Sequence, residues 1–313
     1  MVAVPAPLLD LALVAVAIVG IGAGASQFVG GAARVAAGLG VSGLVVGLTV
    51  VGFGTTAPEF AVTLEAALTG KGDISVANVV GSNVINLGFV LGGAALVRSL
   101  SASGGLLRRD TPVLFGATAL SVVVIWDLRI ARIEGAVLFA LLGGYLAVLA
   151  RANSERVRTD EQYRGEPRWT DALRLLGGLA LIIGSAHLLV ESAVALARNA
   201  GVSEWVIGET VVALGTSAPE IVTSFVAVKR GRGGISAGNL VGSSIFNLLG
   251  VLGLAAVVRP LSVDGAAIGN VAWLLALVAV VTVFFWSRAV LTRTEGAVLV
   301  AINAARWLVD FLH

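Results

Sequence analysis

The 313-residue sequence predicts an all-α polytopic membrane protein, with ten transmembrane helices arranged as two inverted five-helix repeats. Three observations carry that prediction: an apolar composition, ten apolar runs of spanning length, and an internal duplication. Hydrophobic residues make up 57% of the chain and charged residues 13%, against roughly 45–50% and about 25% in soluble domains. A spanning helix takes about 20 mainly apolar residues, so a chain this long accommodates about ten spans joined by short loops. Its 40 glycines favour closely packed membrane helices.

The runs fall at 8–33, 43–69, 74–97, 111–127 and 133–150, then at 173–197, 204–228, 235–258, 266–287 and 294–312. The first reads as a span and not a cleavable signal, because no basic residue precedes it and it is too long and Gly-rich for a signal core. The second carries GTTAPE at 54–59 and the third GSNVIN at 81–86. After the fifth comes RANSERVRTDEQYRGEPRW, a polar and charged stretch expected to be a solvated linker over 151–172. Residues 1–150 are then one repeat and 173–313 the other.

A shift of 161 positions, the distance from Glu59 to Glu220, lays GVSGLVVGLTVVGFGTTAPE (40–59) on GVSEWVIGETVVALGTSAPE (201–220). The same shift lays ISVANVVGSNVIN (74–86) on ISAGNLVGSSIFN (235–247), and RIEGAVL at Arg132 on RTEGAVL at Arg293. A register that never slips means duplication. Five spans per repeat is an odd number, so the second repeat enters from the opposite face, as in many secondary transporters.

Loop charge orients the plan. Loops on the amino-terminal side hold about five basic residues and those on the other side about fifteen, including Arg108, Arg109, the linker arginines, Lys229, Arg230 and Arg232. The linker is therefore expected in the cytoplasm, with both termini outside and the protein multi-pass in the cell (plasma) membrane. Basic residues scattered at span ends exclude nucleic-acid binding. Without cysteine and with only two histidines, thiolate and imidazole metal sites and disulfides are excluded too, so a bound cation must be held by oxygen.

The anomalous residues are Glu59 and Glu220, repeat-equivalent carboxylates inside apolar spans. Such a charge costs roughly 2.5–3.5 kcal/mol on insertion scales, so it belongs on a pathway or beside a bound partner. Pro58 and Pro219 lack an amide proton and crowd the carbonyls of Gly54 and Gly215, which predicts an opened helix in each repeat and freed carbonyls as ligands. Thr55, Thr56, Thr216 and Ser217 add hydroxyls. Ser82 and Asn86, like Ser243 and Asn247, stand four apart on one helix face. This inventory of hard oxygen donors suits sodium and calcium, and two carboxylates neutralise one calcium ion.

At these residues the sequence resembles sodium/calcium exchangers of the prokaryotic ten-helix type, within the calcium/cation antiporter superfamily. GTTAPEF with GSNVIN (motif region 52–86) and GTSAPEI with GSSIFN (213–247) carry the resemblance, which extends over essentially the whole chain. It implies calcium held by Glu59, Glu220 and the carbonyls of Thr55 and Thr216. It implies one sodium site from the Ala213 carbonyl, Ser217, Ser82 and Glu59, and an inverted counterpart from the Gly52 carbonyl, Thr56, Ser243 and Glu220. Asn86 and Asn247 would line the middle, around water or a further ion. Potassium-dependent relatives carry Asp where Asn247 stands, so potassium independence is implied. Exchange of three sodium ions for one calcium would move net charge. The resemblance also implies that the first and sixth spans slide over the rest. No cofactor is implied; the partners are sodium, calcium and lipid, with a monomer as the expected unit.

Other polar residues receive structural readings. Gly81 and Gly242 are expected to let helices approach, and Thr63 and Ser224 to bond their own backbones. Asn78 and Asn239 are expected to organise helix starts. Glu65, Glu191 and Glu209 have no acidic twin and read as rim or helix-contact carboxylates, and His187 as a packing histidine. The main alternative function is proton/calcium exchange on the same fold. An intramembrane hydrolase is remote, because His187 and His313 form no HExxH motif, and inverted repeats with broken helices suit a carrier better than a channel.

Overall fold

The apolar runs become helices in a computed structural model that describes residues 6–38, 52–153, 169–229 and 233–312. In chain order these are α1 (Ala6–Gly38), α2 (Gly52–Leu68) and α3 (Gly72–Val97). Next come α4, a π-turn at Leu106–Asp110 continuing into Thr111–Val124, and α5 (Arg132–Asn153). The second half holds α6 (Trp169–Ala200), α7 (Glu204–Thr216) and α8 (Ala218–Lys229). It continues with α9, built from Gly233–Ile245, Phe246–Val251 and Leu252–Val258, then α10 (Ala266–Arg288) and α11 (Arg293–Leu312). Among the described residues, six helices are long and apolar enough to cross a membrane, and α7 with α8, bent by 48°, makes a seventh. The chain is a polytopic helical membrane protein, and ten spans are consistent with it: the described part of α2 follows directly on residues 39–51, which lie outside the described set, and α4 and α11 complete the order.

The expected linker is shorter than 151–172. Residues 151–153 finish α5 and 169–172 begin α6. Asp171 belongs to the first turn of α6 and pairs across to Arg34 of α1 at 3.4 Å, and an acidic residue there favours a helix start. The rest of the linker, 154–168, lies outside the described residues.

Among the described residues four two-residue strands, too short to register as sequence alternation, show how the halves interlock. Leu100–Ser101 (β1) pairs antiparallel with Val290–Leu291 (β4), and Arg129–Ile130 (β2) with Leu261–Ser262 (β3). Shifting either ladder by 161 positions generates the other, so each takes one strand from each repeat. The residues before β2 and β4, Leu128 and Ala289, share positive φ values of 62° and 55° and are themselves repeat-equivalent. Ten spans put the loops after the third and ninth on one face, and those after the fourth and eighth on the other, and the two ladders join those same loops. Arg259 Nη1 donates to the Leu68 carbonyl at 2.7 Å, and the Asp264 amide to Asp73 Oδ1 at 2.7 Å. These bonds tie the loop after the second span to the loop after the eighth, again on a shared face.

Helix crossings repeat the symmetry. Gly135 of α5 meets Gly253 of α9, and their equivalents Gly296 of α11 and Gly92 of α3 meet likewise; a Cβ on any of the four would stand 2.6–2.9 Å from the facing glycine's carbonyl oxygen. The main apolar core runs through α3, α4, α5, α9 and α10. A second cluster packs Val14, Ala17 and Ile21 of α1 and Ala186, Leu189 and Val190 of α6 against Val62 and Ala66 of α2, Ile74 of α3 and Ile207 and Val212 of α7.

Candidate ion-binding site

The site lies where α2, α3, α7, α8 and α9 converge, and its first determinant is a close approach. A Cβ on Gly81 of α3 would stand 2.2 Å from the Glu209 carbonyl oxygen of α7, so Gly81 packs as expected. The contact brings Ser82 Oγ within 3.4 Å of Thr216 Oγ1. Thr216 donates to Asn78 Oδ1 at 3.0 Å and stands 3.2 Å from the Ala213 carbonyl. With the Thr216 proton so engaged, Ser82 is the donor in their pair. Gly242 meets no described atom within 4 Å; the twin of Glu209 is Leu48, outside the described residues.

Glu59 on α2 and Glu220 on α8 are both fully buried. They lie close enough to interact electrostatically. Ser217 Oγ donates to Glu59 Oε1 at 3.1 Å, and Glu59 Oε2 has no hydrogen-bond partner. Ser217 also forms the break between α7 and α8: its ψ is 5°, while its amide donates to Ala213 at 3.0 Å and its carbonyl accepts from Ile221 at 3.1 Å. The first repeat differs from expectation, because α2 runs unbroken through Pro58. One missing bond to Gly54 does not end a helix whose neighbouring bonds hold, so Pro219 coincides with an opened backbone and Pro58 does not.

One expected sodium set, Ala213, Ser217, Ser82 and Glu59, is thus joined through Ser217 and Thr216. In its inverted counterpart Thr56 and Glu220 are fully buried and Ser243 is buried. Gly52 and Thr55 belong to the first turn of α2, and the side chains of residues 52–55 lie outside the described set. Asn86 and Asn247 are fully buried, and neither amide atom of either has a hydrogen-bond partner. Both stand in π-turns, Ile85–Val90 and Phe246–Val251, at repeat-equivalent positions. Such turns open the backbone ladder and recur at functional sites.

Several smaller expectations are corrected. Asn78 does not organise a helix start: its Nδ2 donates to Thr63 Oγ1 at 2.9 Å, linking α2 through α3 to Thr216 of α7. The Thr63 hydroxyl accordingly serves a neighbouring helix, and the Ser224 hydroxyl, expected on its own backbone, has no hydrogen-bond partner. His187 is not packed but 60% exposed, and its Nδ1 meets Glu65 Oε1 at 2.7 Å. Glu191 pairs with Lys71, and Glu209 accepts from Trp205 Nε1 at 2.8 Å. Sequence reading passed over Asn83 and its twin Ser244, both fully buried, with no hydrogen-bond partner for either Asn83 amide atom or for the Ser244 hydroxyl. The available signal was that both repeats are polar at that position.

Among the described residues no three His, Cys, Asp or Glu side chains gather at one point. The donors here are two carboxylates supplemented by hydroxyls, amides and carbonyls, a set matched to hard cations.

A family model described as sodium/calcium exchanger protein matches residues 9–151 and 171–305. CaxA of Alkalimonas amylolytica is 34% identical over 291 residues, which cover 88% of this chain and 90% of that protein. A solved structure of the sodium-calcium exchanger NCX_Mj superposes with a TM-score of 0.65 at 27% identity, covering 96% of this chain and 98% of that one. The H+/Ca2+ exchanger CAX shares the fold, with a TM-score of 0.79 at 17% identity over 96% of this chain and 82% of its own.

Proposed function

The chain belongs to the sodium/calcium exchanger family, and from that premise we propose that it exchanges sodium for calcium across the membrane by alternating access. It is a transporter and not an enzyme. The observation that carries the reading is the pair Glu59 and Glu220, fully buried at equivalent positions of the two repeats, with the Ser217 hydroxyl on Glu59. Calcium bridges the two carboxylates; sodium ions take the same carboxylates together with Ser82, Ser217 and the Ala213 carbonyl, or with Thr56, Ser243 and the Gly52 carbonyl. Because both ions need Glu59 and Glu220, binding one excludes the other, and that competition is the coupling. A site left with uncompensated carboxylates resists crossing the membrane interior, while a filled one switches between its two openings.

Two carboxylates balance one calcium ion, so three sodium ions leave one net positive charge and exchange is electrogenic. Asn247 supplies no third carboxylate, which supports potassium independence. The first and sixth spans, α1 and α6, are the moving pair in this reading. The excess of basic residues supports a cytoplasmic linker face and outside termini in the plasma membrane; single cysteines placed in this cysteine-free chain at 160 and 313 should label from opposite sides.

Calcium uptake into proteoliposomes tests the proposal. An outward sodium gradient should drive uptake at constant pH, an inside-positive potential should accelerate it because one net positive charge leaves for each calcium that enters, and potassium should be dispensable. Uptake driven by a pH gradient without sodium would overturn it in favour of proton/calcium exchange. In the same assay Thr56→Ala and Ser243→Ala should raise the sodium concentration for half-maximal exchange about tenfold, as losses around a metal commonly do, with a smaller effect on calcium. Equal losses for both ions would refute the sodium assignment of these hydroxyls.

A further inference from the structure

We propose that the groove between α4 and α5 holds one acyl chain of an anionic phospholipid, with Arg108 and Arg109 on its phosphate. The groove has a volume of about 520 Å³ and is lined from Arg109 to Leu120 on α4 and by Gly144 and Val148 on α5, with Leu249 as its floor. Eleven residues of helix rise about 16 Å, close to half of a hydrocarbon core about 30 Å thick, which is the depth of one leaflet. Gly116 and Gly144 open it, for a Cβ on either would meet nothing within 4 Å. These two glycines leave space where others in this chain bring helices together.

In the second repeat Leu277 and Ala305 stand where Gly116 and Gly144 stand in the first. Between the equivalent helices α10 and α11, Trp273 Nε1 reaches Asn303 Oδ1 at 3.2 Å and Arg306 Nη2 reaches Asn270 Oδ1 at 2.6 Å. The residues equivalent to Trp273 and Asn303 are Pro112 and Leu142, which build no such bridge, and Tyr145 joins Asp110 only at the mouth, at 3.0 Å.

Charge and depth identify the occupant. Asp110 engages Arg109 at Nε (2.6 Å) and Nη2 (3.1 Å), which orients the guanidinium at the mouth. Arg108 is exposed beside it, so the mouth keeps one net positive charge. Trp286, 61% exposed, donates its indole proton to the Leu107 carbonyl at 3.1 Å, and exposed indoles mark headgroup level. An acyl chain leaving bilayer for groove gains little hydrophobic energy, because both surroundings are apolar. Selection therefore rests on the headgroup, and a basic mouth at that level selects an anionic one.

Native mass spectrometry of protein extracted from vesicles of equal phosphatidylglycerol and phosphatidylcholine tests this. Wild type should retain one phosphatidylglycerol in preference to phosphatidylcholine. Gly116→Leu with Gly144→Leu should lose it, while Gly143→Leu, which also meets nothing within 4 Å but lies off the groove, should keep it. Arg108→Gln and Arg109→Gln should each lower the ratio of the two retained lipids about fivefold. Unchanged retention in the double leucine variant, or unchanged selectivity in the arginine variants, would overturn the proposal; if the double variant aggregates, the arginine pair decides alone.

Discussion

Glu59→Gln and Glu220→Gln are each expected to cut sodium-driven calcium uptake by more than about 100-fold while the protein still elutes as a folded species. Losing a partner in a metal's outer shell commonly costs 10–100-fold, and these residues are proposed to touch the ion itself. Gln preserves shape and one carbonyl oxygen, so the bond from Ser217 to position 59, now 3.1 Å, can persist. What disappears is one negative charge: calcium with a single carboxylate leaves a net positive site in the membrane interior, which insertion scales penalise heavily. Sodium-gradient calcium flux, measured beside size-exclusion chromatography, checks both halves of the expectation. Near-normal uptake by either variant would dismiss the paired carboxylates as the calcium site.

Gly81→Val is expected to abolish exchange for a different reason. A Cβ at Gly81 meets the Glu209 carbonyl oxygen at 2.2 Å and its Cα at 2.7 Å, and backbone cannot rotate away as a side chain can. Overpacking costs about 1–3 kcal/mol and occasionally more; the shortness of this contact places the change at the upper end. α3 must then retreat from α7, separating Ser82 from Thr216. Thermal unfolding in detergent should begin at lower temperature, with calcium flux at background. Gly116→Ala, whose Cβ meets nothing within 4 Å, should match wild type in both measurements.

The sequence made the paired carboxylates legible because duplication supplies its own control: a costly residue that occurs twice in register is not an accident of one helix. Hydropathy located the helices for the same reason that composition excluded a soluble fold. The π-turns at Ile85–Val90 and Phe246–Val251 left no such trace, since one extra residue in a turn scarcely alters the run of apolar side chains. Duplication also misled. It implied equal breaks at Pro58 and Pro219, whereas the two motifs differ at Thr56 and Ser217, and of these only Ser217 departs from helix. Asn78 was missed as a link because its partners, Thr63 and Thr216, lie 15 and 138 residues away, distances that periodicity does not see. His187 offered no signal of its exposed pairing, because its partner Glu65 lies 122 residues away across a helix interface.

The ladders that exchange strands between repeats have a consequence for how the polypeptide is held together. Neither half contains a complete ladder, and α3 is matched to α11 as α5 is matched to α9, so each half completes the other as subunits of an intertwined dimer do. The peptide link between residues 153 and 169 then acts chiefly by raising the local concentration of one half around the other. Two fragments divided there and made in the same cell should find each other and assemble into one transporter, while either made alone should present unmatched glycine faces and strand edges to the membrane's quality control.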